Sequence, residues 1–326
     1  MTIIRSQIHK GLVQSQSLEK DCWVDIRDAS KQDLLRLERE FGVAPELLAD
    51  IMDIDEQARI EKEETYTALI MRLPVYDESY EVSFFTVPVG ILLFNDKIIT
   101  VCQKSSDVLD EMSGSRVRDL NLRNKSSFVL NLMGRAALVY LKALKELNKK
   151  TAIIERELQK SVRNNELVQL LSIQKSLVFF TTSIKTNELL LEKLQKSPLI
   201  HFKEDEQELL EDVLTDNKQA IEMANIYSSI LTGTMDAFAS VISNNLNIVM
   251  KRLTIVSIAL MIPAMVSGLF GMNVPLPFQD SPFAFAWIVG LSLSASIIGA
   301  TVLGDRKRKK LITKALPYTH NLMVHR

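Results

Sequence analysis

The chain has 326 residues, 24% of them charged, and its formal net charge of −1 conceals a division. Residues 1–252 hold 32 Lys+Arg against 38 Asp+Glu, while seven basic residues lie beyond Gly304. An acidic body argues against nucleic acid as a partner, because phosphate binding needs a basic stripe; it suits cations.

In chain order, residues 1–17 lack the apolar core of a cleaved signal peptide. Strand-like stretches come next at 22–26, 66–71, 84–94 and 98–102, with Asn95-Asp96 a hairpin turn between the last two. Helical patterns intervene at 30–41 and 45–51, where Pro45 suits a first helical turn. These elements predict an N-terminal cytoplasmic α/β domain over 1–125. Cys22 and Cys102 show no paired metal spacing, which fits thiols in a reducing compartment.

From 126 to 203 the pattern changes to antiparallel amphipathic helices. One carries Phe128, Leu132, Ala136, Val139 and Ala143, the other Leu167, Leu170, Leu171, Ile173 and Leu177. Pro198 ends that region. Between Pro198 and Pro263 there is no proline and one glycine, Gly233. Apolar residues recur at Leu210, Leu214, Ile221, Ala224, Leu231, Met235, Phe238, Ile242 and Val249, interrupted by polar Asn217, Ser228 and Asn245. The spacing predicts one helix of about 60 residues, roughly 90 Å long. Its stalk, 204–252, runs without a turn signal into the apolar stretch that begins at Leu253. A helix of this length must pack on others or on copies of itself.

Residues 253–304 carry a single ionisable side chain, Asp280. Two apolar runs lie within, 253–272 with 20 uncharged residues and 282–304 with 23. Each is long enough to cross a hydrocarbon core of about 30 Å. Lys251-Arg252 precedes the first run and Asp305-Arg306-Lys307-Arg308-Lys309-Lys310 succeeds the second, whereas the loop 273–281 has no Lys or Arg. Basic flanks stay on the cytoplasmic side, so both termini face the cytoplasm and the loop faces outside. The basic tail, 305–326, also suits anionic lipid heads. Two spans cannot surround a pore, so a channel needs several chains in a cyclic ring. A two-span anchor for a cytoplasmic domain fits the same topology.

At the outer end of the first run stands Gly268-Leu-Phe-Gly271-Met272-Asn273, then Val-Pro275-Leu-Pro277. Glycines let backbone carbonyls approach an ion, and Asn273 offers a neutral amide oxygen. Magnesium prefers oxygen and sheds its waters reluctantly. A ring of neutral oxygens would hold the hydrated ion without binding it too tightly for release. On spacing alone, a Gly-capped helix end with an Asn turn is the plainer reading.

A Gly-Met-Asn triplet ending the first of two C-terminal spans, after a long helix and an acidic α/β domain, resembles the CorA family of magnesium transporters. The resemblance covers essentially the whole chain, and the triplet is its most specific part. It implies a homopentameric funnel in the plasma (inner) membrane, with the long helices as stalk and the first spans lining the pore. Carried over, Gly271, Met272 and Asn273 look like the selectivity loop. Asn247 matches a polar ring at the cytoplasmic mouth, and Met250, Leu253 and Met261 match an apolar constriction. Positions 247, 250, 254, 257, 261, 264 and 268 share one helix face, which holds Asn247, Met250, Met261 and Gly268, with Leu253 at its edge. An apolar narrow section gates by dewetting.

The family's regulatory site pairs two aspartates of adjacent subunits, and Asp50 and Asp212 stand where they would be. Two converging carboxylates repel unless a divalent ion bridges them, so Mg²⁺ would be regulator as well as cargo. The chain departs from the family at Phe270, where tyrosine is common, and at Ala264, where a hydroxyl is common. Its outer loop reads Val-Pro-Leu-Pro-Phe-Gln-Asp280 in place of a Met-Pro-Glu-Leu-like segment, leaving Asp280 and neutral oxygens to attract cations.

No Gly-x-x-x-x-Gly-Lys-Ser/Thr loop, His-Glu-x-x-His or nucleophile elbow is present, so neither ATP use nor an enzyme is expected. A divalent ion moving inward through 100 mV releases about 4.6 kcal/mol, enough to drive uptake. The reading is a potential-driven magnesium channel gated by internal magnesium, with cobalt and nickel ions as further cargo. The alternatives are a zinc carrier of the same superfamily, whose relatives differ in the middle of the triplet, and a membrane-anchored divalent-ion sensor that does not conduct.

Overall fold

The computed structural model describes residues 2–8, 11–15, 18, 20–114, 121–160, 164–197, 202–272 and 283–305. They fall in two compact units, Met1–Ala237 and Phe238–Arg326. The first is built on a seven-stranded sheet: β1 (Thr2–Ile8), β2 (Gly11–Ser15), β3 (Cys22–Ile26), β4 (Arg59–Lys62), β5 (Tyr66–Tyr76), β6 (Phe84–Phe94) and β7 (Lys97–Cys102). Their order is β2-β1-β3-β7-β6-β5-β4, with β3 and β7 parallel and the other ladders antiparallel.

β6 is buried at every position, which is why it reads as an unbroken apolar run rather than an alternating one. The expected turn at Asn95-Asp96 joins it to β7, in a register that sets Leu93 opposite Ile98. Pro74 and Pro88 are tolerated in paired strands because each lies past the end of a neighbour. β4 stops pairing at Ile70, and β7 stops at Val89.

Period 2 sorts side chains onto two faces. Leu69, Met71, Leu73, Val89, Ile91 and Leu93 meet α3 (Asp107–Ser113), α4 (Lys125–Lys160), α5 (Asn164–Lys196) and the start of α6 (Glu204–Phe270). Ala68, Ile70, Leu92, Val24 and Ile26 meet α1 (Lys31–Phe41) and α2 (Pro45–Met52). The unit is therefore a helix–sheet–helix sandwich, and the α/β expectation holds.

Local signals set the helix ends. Ser30 and Asp33 form a reciprocal capping box at the start of α1, and Gly42 ends it in the left-handed region at φ 65. α2 lies so close to β6 that a Cβ on Gly90 would stand 2.2 Å from Ile51 Cδ1. On the other side, a Cβ on Gly134 of α4 would stand 3.1 Å from Val213 Cγ2 of α6. The root of α6 is held by the buried Glu206. Its carboxylate accepts from Asn124 Nδ2 at 2.6 Å, from Ser126 Oγ at 2.9 Å and from the Lys203 amide at 2.8 Å.

Arg72 ties four elements together. Its backbone is clasped by Asn187 and by the Tyr140 hydroxyl. Its buried guanidinium donates to Ser183 Oγ at 2.8 Å, to Thr86 Oγ1 at 2.9 Å and to the Glu56 carbonyl. Burial pushes its pKa down.

Several features differ from the expectations. β1, β2 and β4 form where the sequence predicts no strand, and β5 continues to Tyr76. The stripe of α6 that packs into the first unit is Leu210, Val213, Asn217, Ala220, Ala224 and Leu231, all buried. Asn217 thus lies within the buried stripe rather than interrupting it, since its Nδ2 donates back to the Val213 carbonyl at 2.9 Å. The long helix itself is present and spans 67 residues. In the second unit, α7 (Ala284–Asp305) is the second apolar helix.

Candidate functional site

Among the described residues, four helices are long and apolar enough to cross a membrane: α4, α5, α6 and α7. Burial separates them. Two-thirds of the apolar window of α4 and 39% of that of α5 are buried, whereas none of the α6 window and 11% of the α7 window are. The core side chains of α4 and α5, such as Phe128, Leu144, Phe180 and Leu191, complete the α/β unit. α5 keeps exposed apolar side chains such as Val168, Val178 and Leu189, but the least buried apolar windows are those of α6 and α7, the pair that hydropathy singled out.

Within that pair, α6 turns one face to α7. Ile255, Ile258, Ala259, Ile262, Pro263 and Val266 are its partly covered apolar positions, along one side of the helix. The pore candidates lie on another face. Asn247, Met250, Leu253, Met261 and Gly268 are all exposed in the single chain, and Met261 is 63% exposed. A Cβ on Gly268 would meet no atom within 4 Å. Thr254 and Ser257 on the same face bond to the carbonyls of Met250 and Leu253, four residues back. Their hydroxyls serve the helix, so what the face presents is apolar surface and glycine, with the Asn247 amide at one end.

α6 ends at the triplet. The amide of Gly271 donates to the Ser267 carbonyl at 3.0 Å and that of Met272 to Leu269 at 3.3 Å, the closing bonds of the last turn. Met272 is exposed. Asn273, the loop 273–281 with Asp280, and the tail beyond Asp305 lie outside the described residues.

The two regulatory candidates are not brought together within one chain. Asp50 sits on α2 and Asp212 on α6, and these helices pack on opposite faces of the sheet. Any convergence requires a second copy. Asp212 is exposed, and Asp50 is engaged: its Oδ2 accepts from Arg59 Nη2 at 2.6 Å. The same guanidinium holds Glu61 at 2.6 Å and Glu56, and these partners raise its pKa against the lowering effect of burial. Among the described residues, no cluster of three or more metal-binding side chains exists in the single chain.

Two residues escaped sequence reasoning. Arg59 lies on β4, a strand that composition does not announce. Asp216 stands one turn beyond Asp212 on α6. Burial, and then the Asp212 carboxylate, push its pKa above the ordinary aspartate value. The i, i+4 spacing of the two acids was the available signal.

A family profile described as CorA-like Mg²⁺ transporter protein matches residues 19–309, the α/β unit and both apolar helices together. The chain belongs to the CorA-like Mg²⁺ transporter family. It is a family of transporters, not of enzymes. Among CorA relatives, the cobalt/magnesium transport protein of Methanocaldococcus jannaschii is 25% identical over 272 residues, covering 82% of this chain and 84% of the relative. That of Thermotoga maritima is 24% identical over 288 residues, covering 85% and 78%. Solved structures agree on the fold. The complete CorA magnesium transporter of M. jannaschii superposes with a TM-score of 0.76 at 23% identity, covering 93% of this chain and 96% of that one. The full-length CmaX protein gives 0.64 at 13% identity, with coverage of 93% and 96%. The ZntB cytoplasmic domain of Vibrio parahaemolyticus gives 0.53 at 13%, over 75% of this chain and 97% of its own.

Proposed function

We propose that this CorA-family chain is a potential-driven magnesium channel, assembled as a homopentamer in the plasma membrane with both termini cytoplasmic. One observation carries the reading. α6 runs unbroken from the α/β unit through an apolar stretch with no buried residue in its window, and ends at Gly271-Met272-Asn273. The uncovered face from Asn247 to Gly268 is the surface that copies of the chain would turn toward a shared axis. Met250, Leu253 and Met261 would form a narrow apolar section that closes by dewetting. Gly271, Met272 and Asn273 would present neutral oxygens to the hydrated ion at the outer end. Cobalt and nickel ions are expected as further cargo.

For regulation, Asp50 of one copy would face Asp212 and Asp216 of the next. All three are hard oxygen donors of the kind Mg²⁺ accepts, and two of them already repel each other on α6. Internal magnesium bridging them would hold the ring shut, and its loss would loosen it.

The test is uptake by the full-length protein in liposomes loaded with a magnesium-sensitive dye, at imposed potentials, with zinc in parallel. Magnesium influx should grow with inside-negative polarisation and vanish in Asn273→Ala while the oligomer stays intact. Preference for zinc would overturn the cargo, and undiminished uptake in Asn273→Ala would overturn the assigned loop. A wild-type protein that binds magnesium but passes none would be a sensor.

A further inference from the structure

Pro263 stands inside α6. A proline has no amide hydrogen, so the carbonyl four residues earlier, that of Ala259, loses its regular helical donor. In water, solvent would fill the gap. In hydrocarbon nothing does, and a bare carbonyl there is penalised heavily.

The hydroxyl of Ser296 on α7 donates to that same Ala259 oxygen. This is not what the neighbouring hydroxyls in the apolar parts of the two helices do. Thr254, Ser257, Ser292, Ser294 and Thr301 each return to a carbonyl three or four residues back on their own helix. Ser296 reaches across to the carbonyl that proline chemistry leaves without a donor. The seat is built for it: Ser292 and Ser296 are the buried residues on the described part of α7. One turn on, Gly299 is small enough that a Cβ there would sit 3.6 Å from Ile262 Cδ1. Small residues at such spacing let two membrane helices approach closely.

We propose that Ser296 is a positioning residue for transport. Its hydroxyl replaces the donor that Pro263 removes, locking α6 to α7 at the break and so fixing the helix face between Met261 and Gly268. The lock rests on the helix pair alone; its effect on conduction rests on α6 being the pore helix.

The experiment is a double-mutant cycle on the full-length protein. Ser296→Ala in the wild-type background should lower the melting midpoint in detergent. It should also shift the half-inhibiting internal magnesium concentration about three- to tenfold. Pro263→Ala restores an amide hydrogen to the Ala259 carbonyl, so in that background Ser296→Ala should leave the melting midpoint within error and shift the half-inhibiting magnesium concentration less than about twofold. Equal effects in both backgrounds, or none in the wild type, would overturn the proposal. Coupled melting with unmoved gating would overturn the role in transport. Should the wild-type chain conduct no magnesium, the function proposed above fails, while the melting cycle still decides the lock.

Discussion

The carboxylate of Asp50 accepts a 2.6 Å hydrogen bond from the guanidinium of Arg59, nine residues on and across a turn onto β4. An aspartate proposed to share a divalent ion with a neighbouring copy therefore already has a cation in its own chain. Arg59 also holds Glu56 and Glu61, so it neutralises part of a local excess of negative charge. A magnesium ion arriving at Asp50 has to compete with it.

Removing that competitor should sharpen the response to magnesium. The Asp50 side chain is 42% exposed, and pairs of this kind contribute only about 0.2–1 kcal/mol. Arg59→Gln should therefore lower the half-inhibiting internal magnesium concentration by about 1.4- to fivefold, read from uptake against internal magnesium. An unchanged value would show that Arg59 does not compete.

Asp216 provides a pH-dependent test. Its folded pKa is raised above 3.8, by burial first and by Asp212 second. Below 3.8 the carboxyl is protonated in folded and unfolded chains alike and contributes nothing. As pH rises, the unfolded chain ionises first, so the folded state loses relative stability, and the full loss is present above the raised value. In the presence of chelator, Asp216→Asn should be more stable than wild type at about pH 7. Denaturant midpoints should converge as pH falls toward 3.8. With millimolar-range magnesium the order should invert, because the ion uses the carboxylate.

How legible each feature is in the residues depends on whether it is local. The apolar runs, the 67-residue helix and the buried strand β6 announce themselves, because length and hydropathy alone determine them. β1 and β2 do not. Thr-Ile-Ile-Arg-Ser-Gln-Ile and Gly-Leu-Val-Gln-Ser are short and half-polar, and they become strands because β3 offers an edge to the first and the first offers one to the second. The parallel pairing of β3 with β7 joins Cys22 to Lys97 and Ile26 to Val101, partners far apart in the chain that no local pattern links. The candidate sites divide in the same way. Asp50 and Asp212 can be placed on helices, but that the sheet stands between them within one chain is a tertiary fact. Asn217 reads as a break in the stripe because a buried amide that bonds to its own helix is indistinguishable, in sequence, from a solvated one.

Arg72 offers a stability test away from the transport path. Its donors reach neutral oxygens on β6, α5 and the segment after α2, in a buried setting that a lysine cannot satisfy because it lacks the planar fork. Arg72→Lys should destabilise the protein by about 2–4 kcal/mol, through unmet partners at Thr86 and Ser183. Arg72→Lys melting within error of wild type would show that the fork is dispensable.

The contact between α2 and β6 can be tested by non-additivity. A Cβ at position 90 would stand 2.2 Å from Ile51 Cδ1 and 2.8 Å from its Cγ1, distances at which something must shift. Ile51 is fully buried, so it has no solvent side to rotate toward. Overpacking of this kind costs about 1–3 kcal/mol. Gly90→Ala should therefore lower the denaturant midpoint of the full-length protein without changing the slope of the transition. Ile51→Val alone removes Cδ1 and should cost about 0.5–1.5 kcal/mol. In the double variant the two losses should sum to less than their parts, because the deleted methyl is the one the new Cβ strikes. Strict additivity would mean that α2 shifts as a body to admit the methyl. Because α2 carries Asp50, such a shift would also move the half-inhibiting magnesium concentration, whereas local relief through Ile51 would leave it unchanged.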